Sequence, residues 1–185
     1  MPVKQHITAL IAPLLLSFLV SSCSSTPPEV TILSGWASYV GADGGNRYDP
    51  HAGMDFGGRS GSPILAAADA TTIKIRGRIS HTSGCGLGIT IYHPALDRWT
   101  AYCHLSRIVA EQGPVKRGQV IGYMGISGSS QGVPHLHFEV VTDGKSHRDG
   151  DLKNTEDPQT YLVGCFSKTE SYAPKQLTYP VPCKD

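Results

Sequence analysis

Glycine and proline interrupt this chain so often that no long helix can persist in it. There are 21 glycines and 13 prolines among 185 residues. Each proline removes a backbone donor, and each glycine raises the entropy that a regular element must overcome. Between these breaks lie short β-like runs at residues 64–68, 71–79, 87–93, 99–105, 120–124 and 136–141. They are bounded by Gly, Pro, Asp and Ser clusters, the usual edges of strands. PALDR at 94–98 reads as a hairpin loop, and KRGQ at 116–119 as a tight turn into the next strand. Only 106–112 carries a trace of helical pattern, and no repeat of 20–50 residues is visible. Hydrophobic residues make up 39% of the chain, enough to build a core. The expectation is a compact all-β fold, an antiparallel β-sandwich or open barrel over residues 34–163. An irregular tail follows from Gly164.

The first 22 residues read as a leader. Lys4 supplies a positive start, and residues 7–20 form a mostly apolar stretch. A spanning helix needs about 20 apolar residues, so this one is too short to cross a bilayer and fits a secretory signal. Val20-Ser21-Ser22-Cys23 resembles the bacterial lipobox, which implies lipidation of Cys23 and a membrane anchor. SSTPPE at 24–29 is then part of a short tether spanning 23–33. Ser24 after Cys23 resembles outer-membrane sorting, so the expected place is the outer membrane, facing the periplasm. Loss of the leader removes Lys4 and no acidic residue, taking the formal charge from +1 to zero. No basic patch exists, and nothing electrostatic points to nucleic acid as a partner. Export permits disulfides. With Cys23 assigned to lipid, four cysteines allow three pairings. Cys85–Cys103, near one predicted hairpin, and Cys165–Cys183, both in the tail, are the expected ones.

Two small motifs carry the chemistry. In His135-Leu136-His137-Phe138-Glu139-Val140, residues two apart share a face of a strand. His135, His137 and Glu139 then point one way, and the apolar residues the other. Two imidazoles on one face are costly to bury without partners. His51 and Asp55 sit four apart, but Pro50, Gly53, Gly57 and Gly58 argue for a turn entering a strand instead of a helix. A catalytic zinc site takes three His, Asp or Glu ligands and leaves one position open. His51, Asp55 and one histidine of the HLH pair would complete such a set; alternation does not say which one. No H-E-x-x-H is present. His104 ends the second hairpin strand, and an imidazole near neutral pKa suits acid–base work. His6, His81, His93 and His147 read as solvated or structural.

HAGMDFGGRSGSPILAAADATT, then YCHLS, then GPVKRGQVIGYMGISGSSQGVPHLHFEV together resemble the lysostaphin-type, or LytM-like, zinc endopeptidases that cut peptidoglycan cross-bridges. The likeness spans about residues 46–163, and DPQTYL at 157–162 is similar to the family's domain ending. It implies the small antiparallel LytM-like fold, a duplicated hybrid motif, with a groove over one Zn²⁺ per chain. By motif position it assigns His51, Asp55 and His137 to the metal and His104 and His135 to catalysis. Cys103 departs from the small residue or Met usual before that histidine. The implied mechanism uses His135 as base toward water and a protonated His104 at the oxyanion.

Peptidoglycan is then the expected partner. Lipidation and export imply a diderm wall, for which the resemblance implies a D,D-endopeptidase at a D-Ala–diaminopimelate bond, with glycine bridges taking its place if the wall belongs to a monoderm. Asn46, Arg47 and Tyr48 precede the first ligand and are candidates for the groove wall. The competing reading is a binding module that regulates a cell-wall amidase. Relatives of that kind have lost metal ligands, and here the set is complete.

Overall fold

A computed structural model describes residues 30–70, 72–76, 84–146 and 150–183, with the side chains of 72–76 left aside. The expected leader, Cys23 and most of the tether fall outside these residues, as do His81 and His147.

Among the described residues, ten short strands form two antiparallel sheets. They are β1 (Ile32–Ser34), β2 (Met54–Gly57), β3 (Pro63–Leu65), β4 (Thr72–Arg76), β5 (Gly88–His93), β6 (Arg98–Cys103), β7 (Leu105–Ile108), β8 (Val120–Met124), β9 (His135–Val141) and β10 (Thr155–Glu156). The large sheet runs β1-β2-β9-β6-β5-β4, with β10 also pairing with β9. The small sheet runs β3-β8-β7. Among the described residues the only helical piece is a 3₁₀ turn at Pro158–Thr160, so the all-β expectation holds.

Register and alternation place the core. Met54 pairs with Phe138, Phe56 with Leu136, Tyr102 with Phe138, and Ile89 with Tyr102. Directly paired residues share a face, so these side chains cover one side of the large sheet. They join Ile64, Leu105, Ile121 and Met124 of the small sheet in a single buried cluster. Phe56 and Tyr102 each meet the Phe138 ring edge-on, at 6.1 and 5.2 Å between centroids. Such contacts add to plain area burial. Tyr102 is wholly buried, yet its hydroxyl accepts from Ala67 N–H and from the Thr100 hydroxyl.

Two local expectations are corrected, and the tail is as expected. The stretch 106–112, with its helical trace, opens with most of β7 in place of a helix, because that backbone pairs with β8. The run 99–105 breaks at His104, where φ of +63° turns the chain from the large sheet into the small one. The tail after Gly164 is irregular but anchored: Leu177 bridges to Leu162 and is fully buried, Tyr179 packs on Phe56, and Cys165 is bonded to Cys183. Cys85 is bonded to Cys103. His93, expected as solvated or structural, is buried, donating from Nδ1 to Asp69 O and contacting Thr100 Oγ1 through Nε2.

Candidate active site

The other face of the large sheet carries the polar residues. Asp55 on β2 pairs with His137 on β9, Gly57 with His135, and Cys103 on β6 with His137 from the opposite side. Met54 and Phe56 hold β2 in the core, so Asp55 must point away from it. Leu136 and Phe138 do the same for the two histidines of β9. His51 arrives from the loop before β2, and its backbone N–H bonds to Ser38 O. Between it and Asp55, a side chain on Gly53 would collide with Phe138 O and approach Glu139 Cγ to 2.9 Å. Glycine is required there for the loop to lie against β9.

Each histidine has one ring nitrogen committed to an acceptor, which fixes its tautomer. His51 Nδ1–H donates toward Gly35 O and Ser34 Oγ, both 3.0 Å away. The Ser34 hydroxyl spends its own proton on Val40 O, so its oxygen can only accept. His137 Nε2–H donates to Glu139 Oε1 at 2.8 Å, and Ser146 Oγ–H donates to the same oxygen at 2.8 Å. His135 Nδ1–H donates to Val133 O at 2.8 Å. His104 Nδ1–H donates to Ser127 O at 2.7 Å.

What remains is a convergence of three potential ligand atoms, with either a proton on His137 or a metal ion to offset their charge. His51 Nε2 lies 2.8 Å from His137 Nδ1, and Asp55 Oδ1 lies 3.2 and 3.1 Å from them. All three residues are buried. Three bare acceptors facing one another repel unless positive charge sits among them. Tetrahedral zinc with ligands at about 2.0–2.2 Å has ligand–ligand edges of roughly 3.3–3.6 Å, a few tenths longer than this triangle. Two nitrogens and one oxygen are also a donor set that suits zinc. The residues therefore fit the ion. Arg47 Nη2 holds Asp55 Oδ2 at 3.1 Å, leaving Oδ1 alone to face the centre.

Electrostatics agree with a site built for a cation. Burial alone would raise the Asp55 carboxyl, but the facing His137 and His51 outweigh it and hold it well below the usual carboxylate range. Burial alone would lower His137, but its contacts with Asp55 and Glu139 push it up to about 10. His104 and His135 behave in the opposite way. Burial, with the charges of His137 and His135 adding to it, takes His104 down to about 3. Burial also lowers His135, against an opposing pull from Asp55. Both rings are thus biased toward the neutral form, in which the Nδ1–H bonds leave Nε2 as the acceptor. Burial thus disfavours an imidazolium at His104 before negative charge develops beside it.

His104 and His135 lie edge to face, with ring centroids 4.7 Å apart, and His135 Nε2 is 3.6 Å from Asp55 Oδ1. The five residues singled out in the sequence thus form one cluster. Of the three groove candidates, Arg47 pairs with Asp55, Asn46 forms a backbone bridge with Val40, and Tyr48 is fully exposed. Glu139 had been placed on the histidine face by alternation but was given no role. Ser127, Val133 and Gly35 contribute carbonyl oxygens, which any residue carries, so residue type offers no signal for them.

Residues 49–149 match the model of Peptidase family M23. DD-carboxypeptidase/endopeptidase Mpg of Neisseria meningitidis is 40% identical over 95 residues, covering 51% of this chain and 21% of that protein. The chain thus spans about a fifth of the length of that curated relative. The catalytic domain of the antimicrobial peptidase lysostaphin from Staphylococcus simulans superposes with a TM-score of 0.56 at 26% identity, over 71% of this chain and 90% of that one. A zinc containing peptidase from Vibrio cholerae superposes with a TM-score of 0.50 at 33% identity, over 66% and 36% of the two chains. The matched span is more than half of the sequence and holds the whole His51–Asp55–His137 set together with His104 and His135: the chain belongs to peptidase family M23.

Proposed function

We propose that this protein is a zinc-dependent peptidoglycan endopeptidase that opens peptide cross-links. The observation that carries the reading is the convergence of three buried ligand atoms within 2.8–3.2 Å of one another, beside two further imidazoles whose Nδ1 atoms are held by main-chain oxygens. A zinc ion held by His51 Nε2, His137 Nδ1 and Asp55 Oδ1 supplies Lewis-acid polarisation of a scissile carbonyl and a reactive water at neutral pH.

The chain's own residues do the rest. His135 Nε2 accepts the proton that the attacking water loses, since its Nδ1 is already committed to Val133 O. The ring that has taken the proton is then the acid that returns it to the leaving amine. His104 can donate to the developing oxyanion only after gaining a proton on Nε2, and the negative charge of the tetrahedral state favours that gain. Arg47 restrains Asp55 throughout.

The bond cut in this reading is D-Ala–diaminopimelate, as a D,D-endopeptidase; the relative named DD-carboxypeptidase/endopeptidase supports that choice. In the same reading the protein is exported and lipid-anchored through Cys23, at the outer membrane facing the periplasm; the support is the Val20–Cys23 motif with Ser24 behind it. The test is digestion of purified sacculi with zinc-loaded protein, followed by mass spectrometry of the released muropeptides. Monomers carrying a free D-Ala carboxyl and a free diaminopimelate amine are expected. Glycan strands stripped of all peptide, or no release but stimulation of an added amidase, would overturn the reading.

A further inference from the structure

His104 stands in a backbone conformation that its own side chain does not favour. Its φ is +63°, a region that residues with a Cβ rarely occupy. Something outside the residue must therefore hold it. Part of the support is the Nδ1 bond to Ser127 O. The rest comes from residues 84–87. Cys85 O accepts the His104 amide at 2.9 Å, and Leu87 O accepts the next amide, that of Leu105, at 2.9 Å. The same segment also grips the Ser127 loop. Leu87 N–H donates to Ser127 Oγ at 3.0 Å, Ser127 Oγ–H donates to Leu105 O at 2.8 Å, and Ser129 N–H donates to Gly84 O at 2.9 Å. Side chains at Gly86 or Gly128 would collide with the facing backbone. Residues 84–87 are thus a wedge that sets both the backbone and the ring of His104.

The Cys85–Cys103 bond clamps this wedge to the residue immediately before His104, with the two Cα atoms 4.8 Å apart. Its other end reaches the metal ligands. Cys103 Sγ lies 3.3 Å from Ser146 Oγ, whose hydroxyl donates to Glu139 Oε1, the acceptor of His137 Nε2–H. Both the His104 corner and the carboxylate behind His137 rest against one bridge.

We propose that Cys85 and Cys103 are positioning residues of the active site, and that their disulfide is what holds His104 in working geometry. This rests on the function proposed above. It is separable from it because its central readout, the state of the His104 amide, does not depend on turnover. The second bridge, Cys165–Cys183, staples the tail and makes no contact with the catalytic histidines among the bonds described, so it serves as the control.

The experiment compares zinc-loaded wild type with the C85A/C103A and C165A/C183A proteins. Three quantities are measured: thermal midpoint, hydrogen-exchange protection of the His104 amide by NMR, and kcat and KM on a purified cross-linked muropeptide dimer. Both variants are expected to melt earlier. Only C85A/C103A should show a loss of His104 amide protection of tenfold or more, and a fall in kcat of tenfold or more with KM within twofold. If C85A/C103A does not fold, C165A/C183A is treated with dithiothreitol, which is itself oxidised to its cyclic disulfide as the Cys85–Cys103 bond becomes two thiols. The same losses should then appear and reverse on reoxidation. Unchanged His104 protection and kcat in a folded protein lacking the bridge would overturn the proposal. If wild type does not cut the dimer, the functional reading fails instead, and the amide protection still decides this inference.

Discussion

Asp55 and His137 sit opposite one another on adjacent strands, in register, with Oδ1 3.1 Å from Nδ1. Strand pairing alone brings two of the three ligands together, and only His51 depends on a loop. Replacing Asp55 by Asn keeps the shape and removes the charge that offsets the cation. Zinc content measured by atomic absorption is expected to fall from one per chain to below about a tenth for Asp55→Asn and for His137→Ala. Full occupancy in either variant would remove these residues from the ligand set.

The two remaining histidines should separate binding from turnover. His135→Ala and His104→Ala are expected to keep one zinc per chain while kcat falls by about 10²–10⁴-fold, the usual worth of a positioned acid or base. KM should change little. Normal turnover in His135→Ala would assign the water's proton to another group.

Glu139 lies behind His137 and fixes which of its nitrogens is bare. Removing such a partner typically weakens metal binding by about 10–100-fold. Glu139→Ala should therefore lower zinc affinity, read by chelator competition, into that range. Glu139→Gln, which still offers an acceptor oxygen to Nε2–H, should lose less. Equal affinity in all three proteins would show that the contact does not orient the ring.

Gly53 owes its identity to the strand beside it. A methyl group there meets Phe138 O and comes within 3.1 Å of His137 Cε1. Gly53→Ala is expected to cost about 1–3 kcal/mol in urea unfolding, as overpacking does. Zinc should be lost with it, because β2 and β9 carry the ligands. Retained stability and zinc would mean that the loop can shift without moving Asp55.

His93 gives the fold a pH dependence of its own. Burial holds its pKa down at about 4, against a raising hydrogen bond to Asp69 O. The unfolded chain takes up this proton near pH 6.5, whereas the folded one resists it until about pH 4. Stability from this group is thus complete above pH 6.5 and declines as pH falls toward 4, by up to roughly 3 kcal/mol. Urea midpoints between pH 7.5 and 4.5 should show the decline, and His93→Gln should flatten it. Parallel curves for the two proteins would assign the acid sensitivity elsewhere.

Much of this site could be read from the chain because its two motifs are strand motifs. Alternation in HLHFEV places Leu136 and Phe138 in the core and His135 and His137 in the groove, whatever the tertiary context. Gly53 between His51 and Asp55 signals a close backbone approach, and Phe138 O is what approaches. Other features have no such period. The corner at His104 depends on a positive φ in a non-glycine residue, which residue type does not announce. The segment 106–112 looks weakly helical in isolation, but its edge pairing with β8 decides its state. The pairing of Arg47 with Asp55 left no sequence signal, because eight positions separate them with no regular element spanning both. Leu177 is buried through a lone parallel bridge to Leu162, too short to leave any alternation.

Three of the four imidazoles at the centre have their outer nitrogen bonded to a main-chain oxygen, of Gly35, Val133 or Ser127. A carbonyl survives every substitution at its own residue. Side chains along the rim can therefore drift toward a new cross-link chemistry without resetting the protonation of His51, His135 or His104. His137 is the exception, since its proton is assigned by a carboxylate that a single base change can remove. Of the four ring protons, only the one on His137 depends on a replaceable side chain.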